Sequence, residues 1–172
     1  TLNGTKEYII QEFKKRNWVL PTTDLVYLRF DYTLTDTFDD VVVRFNNGVV
    51  DMIAPCSTTA GKYYILNPIT YAGVKGTAIA KEQQILNCHR FVTSTNWKSL
   101  WLGGPYFNQD KAIEIYRDGN MDEKLDKGIL QKGLFGINLH RGGLGNRNWN
   151  WSAGCLVTPD AYWWQLINIF KN

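Results

Sequence analysis

His140 and Cys155 are the two side chains of this sequence best suited to covalent chemistry. They stand fifteen residues apart, in Gly136-Ile137-Asn138-Leu139-His140-Arg141-Gly142-Gly143 and Trp151-Ser152-Ala153-Gly154-Cys155. An imidazole can take the proton of a thiol, and the thiolate then attacks a carbonyl carbon. Both segments read as strand ends with glycine-flanked polar tips, and side by side they would bring the pair into hydrogen-bond reach. Ser152, Ala153 and Gly154 are small enough to let a substrate backbone approach. The N–H of Cys155, with that of Gly154, is expected to stabilise a tetrahedral oxyanion. No carboxylate lies near His140 in sequence, so a backbone carbonyl, of Arg141 or a glycine beside it, is expected to orient the ring. The plainer readings are a buried apolar cysteine and a histidine hydrogen-bonded at a sheet edge. The pairing of His140 with Cys155 and Gly154 favours the nucleophile.

The elements that must position these residues are mostly strands. Thr5 reads as the cap of a helix running to Asn17, an extension over 5–17 with Ile9, Ile10 and Phe13 as its buried stripe and Pro21 beyond it as a stop. Strands are expected at Leu25–Tyr32, at Val41–Phe45 and Val49–Ile53 about the turn Asn46-Asn47-Gly48, and at Lys62–Leu66, Gln84–Val92, Ala112–Tyr116 and Phe135–His140. Thr158-Pro159-Asp160 then opens a helix that carries Trp163, Leu166, Ile167 and Phe170 at helical spacing. The fold class is mainly β with flanking helices, a mixed sheet or sandwich with the N-terminal and C-terminal helices packed on it. One domain over 1–172, with a core from about 25 onward, and a monomer are expected.

Composition narrows the partners. Of 172 residues, 44% are hydrophobic and 20% charged, an ordinary balance for a globular chain. A net charge of +3 without a basic run excludes nucleic acid as an expected partner, though a mildly basic surface suits an anionic polymer. No apolar run reaches the ~18 residues of a membrane span, and the first residues lack the apolar core of a signal peptide. Three cysteines leave at least one free thiol, and Cys56 and Cys88 read either as a disulfide or as two buried thiols. No Cys/His tetrad suggests zinc. Asp118, Asn120, Asp122 and Asp126 alternate like the first half of a calcium loop. The sixth position is Glu123 and the twelfth Ile129, which rejects an EF-hand and leaves a structural Ca²⁺ or a polar turn. No cofactor is required. His89, adjacent to Cys88, points to the opposite strand face and is expected to be hydrogen-bonded structurally. Trp151 is expected to wall the pocket or to pack in the core. Arg141 reads as a cation for a substrate carboxylate or as a solvated loop residue.

His140-Arg141-Gly142, the spacer, Ser152-Ala153-Gly154-Cys155-Leu156 and Asp160-Ala161 together resemble the catalytic signature of the L,D-transpeptidase (YkuD-type) domain. Phe38-Asp39-Asp40 before the hairpin and Thr58-Thr59-Ala60-Gly61-Lys62-Tyr63-Tyr64 extend the resemblance over roughly residues 35–170. Tyr116-Arg117-Asp118 and Phe135-Gly136-Ile137-Asn138-x-His140-Arg141 with Trp151-Ser152-Ala153-Gly154-Cys155 are most similar to short phage-type members. The resemblance implies Cys155 as nucleophile and His140 as base, with Gly154, Ser152, Arg141, Gly142 and Trp151 about the substrate. It implies bacterial peptidoglycan as partner, action at the cell wall or periplasm, and an endolysin-like, bacteriolytic hydrolase. The alternatives are cross-link formation and a non-catalytic wall-binding or virion module. Ala153 and Val157 replace the histidine and arginine that flank the cysteine in that family.

Overall fold

The chain is mainly β-sheet with a helix at each end. The computed structural model describes residues 1–31, 34–93 and 95–171. Helix α1 (Leu2–Lys15) begins at Thr1, whose side-chain oxygen accepts from the Gly4 N–H, and ends with Lys14 and Lys15 at the negative pole of the dipole. Thr5 is therefore not the cap: its hydroxyl donates to the Thr1 carbonyl from inside the first turn. Asn17, at φ 53°, lies past the helix end. Ile9 and Phe13 are buried and Ile10 is half-buried.

Strands β1 (Asp24–Leu28), β2 (Asp40–Asn46) and β3 (Val49–Cys56) pair antiparallel in that order. Asn47 and Gly48 join β2 to β3 with φ of 50° and 74°, the two positive values of a type I′ turn. The strand expected over Leu25–Tyr32 stops at Leu28, and Tyr32 lies outside the described residues. Val41-Val42-Val43 shows no apolar–polar alternation because both faces of this sheet are covered. Val43, Phe45 and Val50 pack on Ile9 and Phe13 of α1. Val42, Ala54 and Cys56 face the other way, into a core with Phe107, Leu139, Trp163, Leu166 and Ile167.

Beyond β3 come α2 (Lys62–Leu66), the small hairpin β4 (Thr70–Tyr71) and β5 (Val74–Lys75), β6 (Thr77–Ala80), β7 (His89–Val92) and α3 (Trp97–Trp101). Then follow β8 (Tyr106–Gln109), β9 (Ile113–Asp118), β10 (Leu130–Gly133), β11 (Leu139–Arg141), β12 (Leu156–Thr158) and α4 (Asp160–Leu166). They form sheets of order β10-β9-β6 and β12-β11-β8-β7. A bridge between Ser57 and Val157, with N···O distances of 2.8 and 3.0 Å, ties the end of β3 to β12.

Several expected strands are shortened or replaced. Lys62–Leu66 is a helical turn: the Gly61 carbonyl accepts from Tyr64 and Ile65, and Ile65 is its one buried side chain, so a strand there would have no face to bury. The strand expected over Gln84–Val92 shrinks to β7. Phe135–His140 shrinks to β11 because the Phe135 and Ile137 N–H groups donate to Gln109 Oε1, at 3.2 and 2.8 Å, instead of to a neighbouring strand. Cys56 and Cys88 are free thiols in separate cores, so the disulfide reading is replaced by the buried-thiol one.

Helix α4 anchors the sheet that carries the site. Thr158 is not its cap: it ends β12, its Oγ1 makes no hydrogen bond, and the helix starts after Pro159 with Asp160 in its first turn. Trp163, Leu166 and Ile167 are fully buried, while Phe170 is half-buried in a short 3₁₀ turn. Buried Arg44 closes the helix by donating to the Gln165 and Leu166 carbonyls at 2.6 and 3.2 Å, and its Nε pairs with Asp51 at 2.7 Å. Trp163→Ala is expected to cost about 3–5 kcal/mol, the range for emptying a fully packed aromatic site. Urea denaturation measures it, and a loss under 1 kcal/mol would contradict this packing.

Candidate active site

The pairing of β11 with β12 sets the geometry. The two run parallel, with Leu139 opposite Leu156 and His140 opposite Val157. The Leu156 N–H donates to the Asn138 carbonyl at 3.0 Å, and the Asn138 N–H reaches the Cys155 sulfur at 3.4 Å, which places Cys155 beside Asn138. Side chains alternate between the faces of a strand. Leu139 and Leu156 pack on the core, which puts His140 on the opposite face of β11; Cys155 lies one residue before β12, and the cavity it lines does not include His140.

His140 is buried, with 1% of its surface exposed. Its Nδ1 lies 2.8 Å from the Arg141 carbonyl. A carbonyl can only accept, so Nδ1 carries the proton and Nε2 carries the lone pair. A backbone carbonyl thus orients the ring, and it is that of Arg141. Nε2 is buried and has no hydrogen-bond partner. Burial lowers the imidazole pKa to about 4, against a smaller upward pull from the Arg141 carbonyl. His140 is therefore a neutral base at physiological pH.

Cys155 is half-buried. Its thiol donates to the Gly136 carbonyl at 3.3 Å and accepts the Asn138 N–H at 3.4 Å. Burial pushes the thiol up to about 11. The sulfur has no hydrogen bond to His140, so the resting pair is neutral thiol and neutral imidazole.

The turn before Cys155 is closed by Ser152, whose Oγ donates to the Cys155 carbonyl at 2.7 Å and accepts the Gly154 N–H at 2.9 Å. That bond removes the Gly154 amide from the oxyanion role expected for it. The N–H groups beside the sulfur are those of Asn138 and of Cys155 itself. Gly154 has a different function: at φ 139° its Cα lies against Ala78, and a Cβ there would come within 2.6 Å of the Ala78 carbonyl oxygen.

Arg141, Gly142 and Trp151 support the strand end and do not line the cavity at Cys155. Arg141 donates to Asp160 at 2.7 Å and lies 5.4 Å from the Trp151 ring centroid, so it is neither a solvated loop residue nor a free cation. The Gly142 N–H donates to the Thr158 carbonyl at 2.7 Å, and a Cβ on Gly142 would meet the Phe38 ring at 2.8 Å. The cavity that opens on Cys155 is small, ≈ 60 Å³, and is walled by Tyr71, Phe135, Arg117 and Ala153. A larger groove of ≈ 620 Å³, lined by Phe38, Asp39, Leu144, Asn146 and Tyr162, contains neither His140 nor Cys155.

Two buried side chains that sequence reasoning missed hold the turn from behind. Asn148 donates to the Thr59 carbonyl at 2.7 Å and to Ser57 Oγ at 3.2 Å. Asp36 Oδ1 accepts from the N–H groups of Lys62 and Trp149. The Thr58–Tyr64 stretch is thereby docked on the site, with the Gly61 N–H donating to the Ser152 carbonyl at 2.9 Å. Their available signal was polar residues short enough to bond backbone in turns.

His89 donates from Nε2 to the Ile137 carbonyl at 2.7 Å, a structural bond. Asp118, Asn120, Asp122 and Asp126 share the loop between β9 and β10. There Asp118 accepts the Asp126 N–H at 3.2 Å, Asp122 accepts the Lys124 N–H at 3.0 Å, and Asn120 bonds Asp126 side chain to side chain. Among the described residues no group of three or more His, Cys, Asp or Glu is placed to hold a metal ion.

Burying a neutral imidazole makes stability depend on pH. The unfolded chain binds the proton near pH 6.5 and the folded chain only near 4, so stability from this group is present above 6.5 and declines as pH falls through 4. The difference amounts to roughly 3 kcal/mol. Urea midpoints of the wild type and of His140→Gln between pH 7 and 4 are expected to diverge in slope, the variant losing less. Parallel slopes would contradict a buried neutral His140.

Compared with protein-family models, curated proteins and solved structures, the chain gives no match.

Proposed function

We propose that the protein is a cysteine hydrolase that cleaves amide bonds in the stem or cross-link peptides of bacterial peptidoglycan through an acyl-enzyme. The observation that carries the reading is the free, buried Nε2 of a carbonyl-anchored His140 on β11, the strand paired with β12, which begins directly after Cys155. An unsatisfied buried imidazole nitrogen is costly and finds its use in accepting a proton. The wall-peptide substrate comes from the resemblance of the His140 and Cys155 segments to L,D-transpeptidase signatures.

In this reading the sulfur turns to Nε2 and gives up its proton as it attacks the carbonyl carbon. The oxyanion accepts the N–H groups of Asn138 and Cys155. The carbon–nitrogen bond breaks, His140 returns the proton to the leaving amine, and a thioester remains on Cys155. Water, deprotonated by His140, then releases the acid and restores the thiol. An amine in place of water would give a cross-link, the transpeptidase alternative. A wall-binding or virion module would have no use for a buried, unpartnered imidazole, which favours the enzyme. Delivery to the wall belongs to the same proposal; no helix among the described residues is long and apolar enough to cross a membrane.

Purified sacculi incubated with the wild type, with fragments followed by mass spectrometry, test the reading. New free amino and carboxyl ends are expected. New cross-links would shift the reading to transpeptidation, and intact sacculi with bound protein would replace it with a binding module.

A further inference from the structure

Arg117 is a cation with no carboxylate partner among the described residues. Only 5% of its surface is exposed, and none of the ion pairs among the described residues includes it. Its Nε donates to Gln131 at 2.8 Å and its Nη1 to the Gly76 carbonyl at 3.3 Å, while Nη2 is buried without a partner. Tyr71 and Phe135 flank the guanidinium, with ring centroids 5.6 and 5.1 Å away. A buried guanidinium satisfied by two neutral acceptors and two ring faces lacks the carboxylate that such a group normally has.

Its place in the fold is specific. Arg117 on β9 stands opposite Ala78 on β6, and the Ala78 N–H donates to the Ala153 carbonyl at 3.0 Å, two residues before the nucleophile. Arg117, Tyr71, Phe135, Ala153 and Cys155 line one cavity of ≈ 60 Å³, enough for a small group and too small for a side chain of any length. Arg141 cannot supply a cation there, because Asp160 holds it.

We propose that Arg117 is the carboxylate-binding residue of the site: from the wall of this cavity its guanidinium receives a free carboxylate of the acyl donor, which places the neighbouring carbonyl at Cys155. This rests on Cys155 being the nucleophile of the proposed hydrolase. The preferred substrate class is then a peptide with a free carboxylate next to the scissile amide, in contrast to its amidated counterpart.

The test uses two alkylating reagents that differ in charge and little in size. Iodoacetate carries a carboxylate and iodoacetamide does not, and mass spectrometry locates the modification on Cys155, since Cys56 and Cys88 are buried. The iodoacetate-to-iodoacetamide rate ratio at Cys155 is expected to exceed that of glutathione by about tenfold or more, as a charge-assisted contact requires. Arg117→Met should return it to the glutathione value and Arg117→Lys should keep part of it. A wild-type ratio equal to that of glutathione, or one that Arg117→Met leaves unchanged, overturns the proposal. If Arg117→Met does not fold, the wild type still decides. Acetate, with chloride holding ionic strength constant, should slow iodoacetamide labelling where acetamide does not, and no difference overturns the site. Intact sacculi with a retained iodoacetate preference would sink the hydrolase and leave the carboxylate site standing. Cleaved sacculi without that preference would do the reverse.

Discussion

Cys155→Ala is expected to leave a folded protein that releases no fragments from sacculi, a loss on the order of 10⁴-fold or more. The folding half follows from what the sulfur touches. Sγ makes two long contacts, to Gly136 and Asn138, at the edge of a small cavity, so their loss costs about 1 kcal/mol. The catalytic half follows from chemistry: alanine leaves His140 and the two oxyanion amides in place but nothing to form the thioester. Cys155→Ser should be nearly as inactive, because a hydroxyl gives up its proton far less readily than a thiol. A Cys155→Ala protein within tenfold of the wild type would remove the nucleophile from the account.

His140→Gln carries the second-largest effect, a loss of about 10² to 10⁴-fold near neutral pH, the usual worth of a general base. Its pH profile is more diagnostic than its size. In the proposed mechanism the neutral imidazole is the active form, so the wild-type rate should hold from neutral pH downward and fall as pH drops through about 4. Without the base, attack must await a spontaneous thiolate. With the thiol near 11, about one molecule in 10⁴ is ionised at pH 7, since 11 − 7 is four units. The variant's rate should therefore climb about tenfold per pH unit toward 11, while the wild type stays flat. Iodoacetamide labelling of Cys155 should climb in the same way in both proteins, since alkylation needs thiolate and finds no preformed ion pair. A labelling plateau at neutral pH in the wild type would mean a resting thiolate–imidazolium pair and would contradict the neutral one.

His140 and Cys155 stand out in the sequence by residue type and local spacing alone. The hairpin at Asn47-Gly48 was legible because positive φ restricts which residues fit. What failed did so for want of long-range contacts. Gly154 fits an oxyanion donor by its place before Cys155, but Ser152 holds its amide, and the Asn138 N–H that reaches the sulfur comes from seventeen residues away in sequence. Phe135–Ile137 has the pattern of a strand, yet Gln109 draws off its amides. Arg141 was the nearest cation to His140 in sequence, but Asp160 neutralises it. The uncompensated Arg117 comes from a different sheet, and only the docking of Ala153 on Ala78 brings it to the cavity. Periodicity reports which face of an element is buried, and does not report which element covers it.

Partitioning of the acyl group between water and hydroxylamine tests the central claim most directly. Sacculi are digested in increasing hydroxylamine by the wild type and by Cys155→Ala, and new fragment ends are counted by mass spectrometry. An acyl-enzyme on Cys155 predicts hydroxamate ends that grow at the expense of carboxylate ends in the wild type, and neither kind in the variant. Carboxylate ends that ignore hydroxylamine, or ends formed equally well by Cys155→Ala, would contradict it.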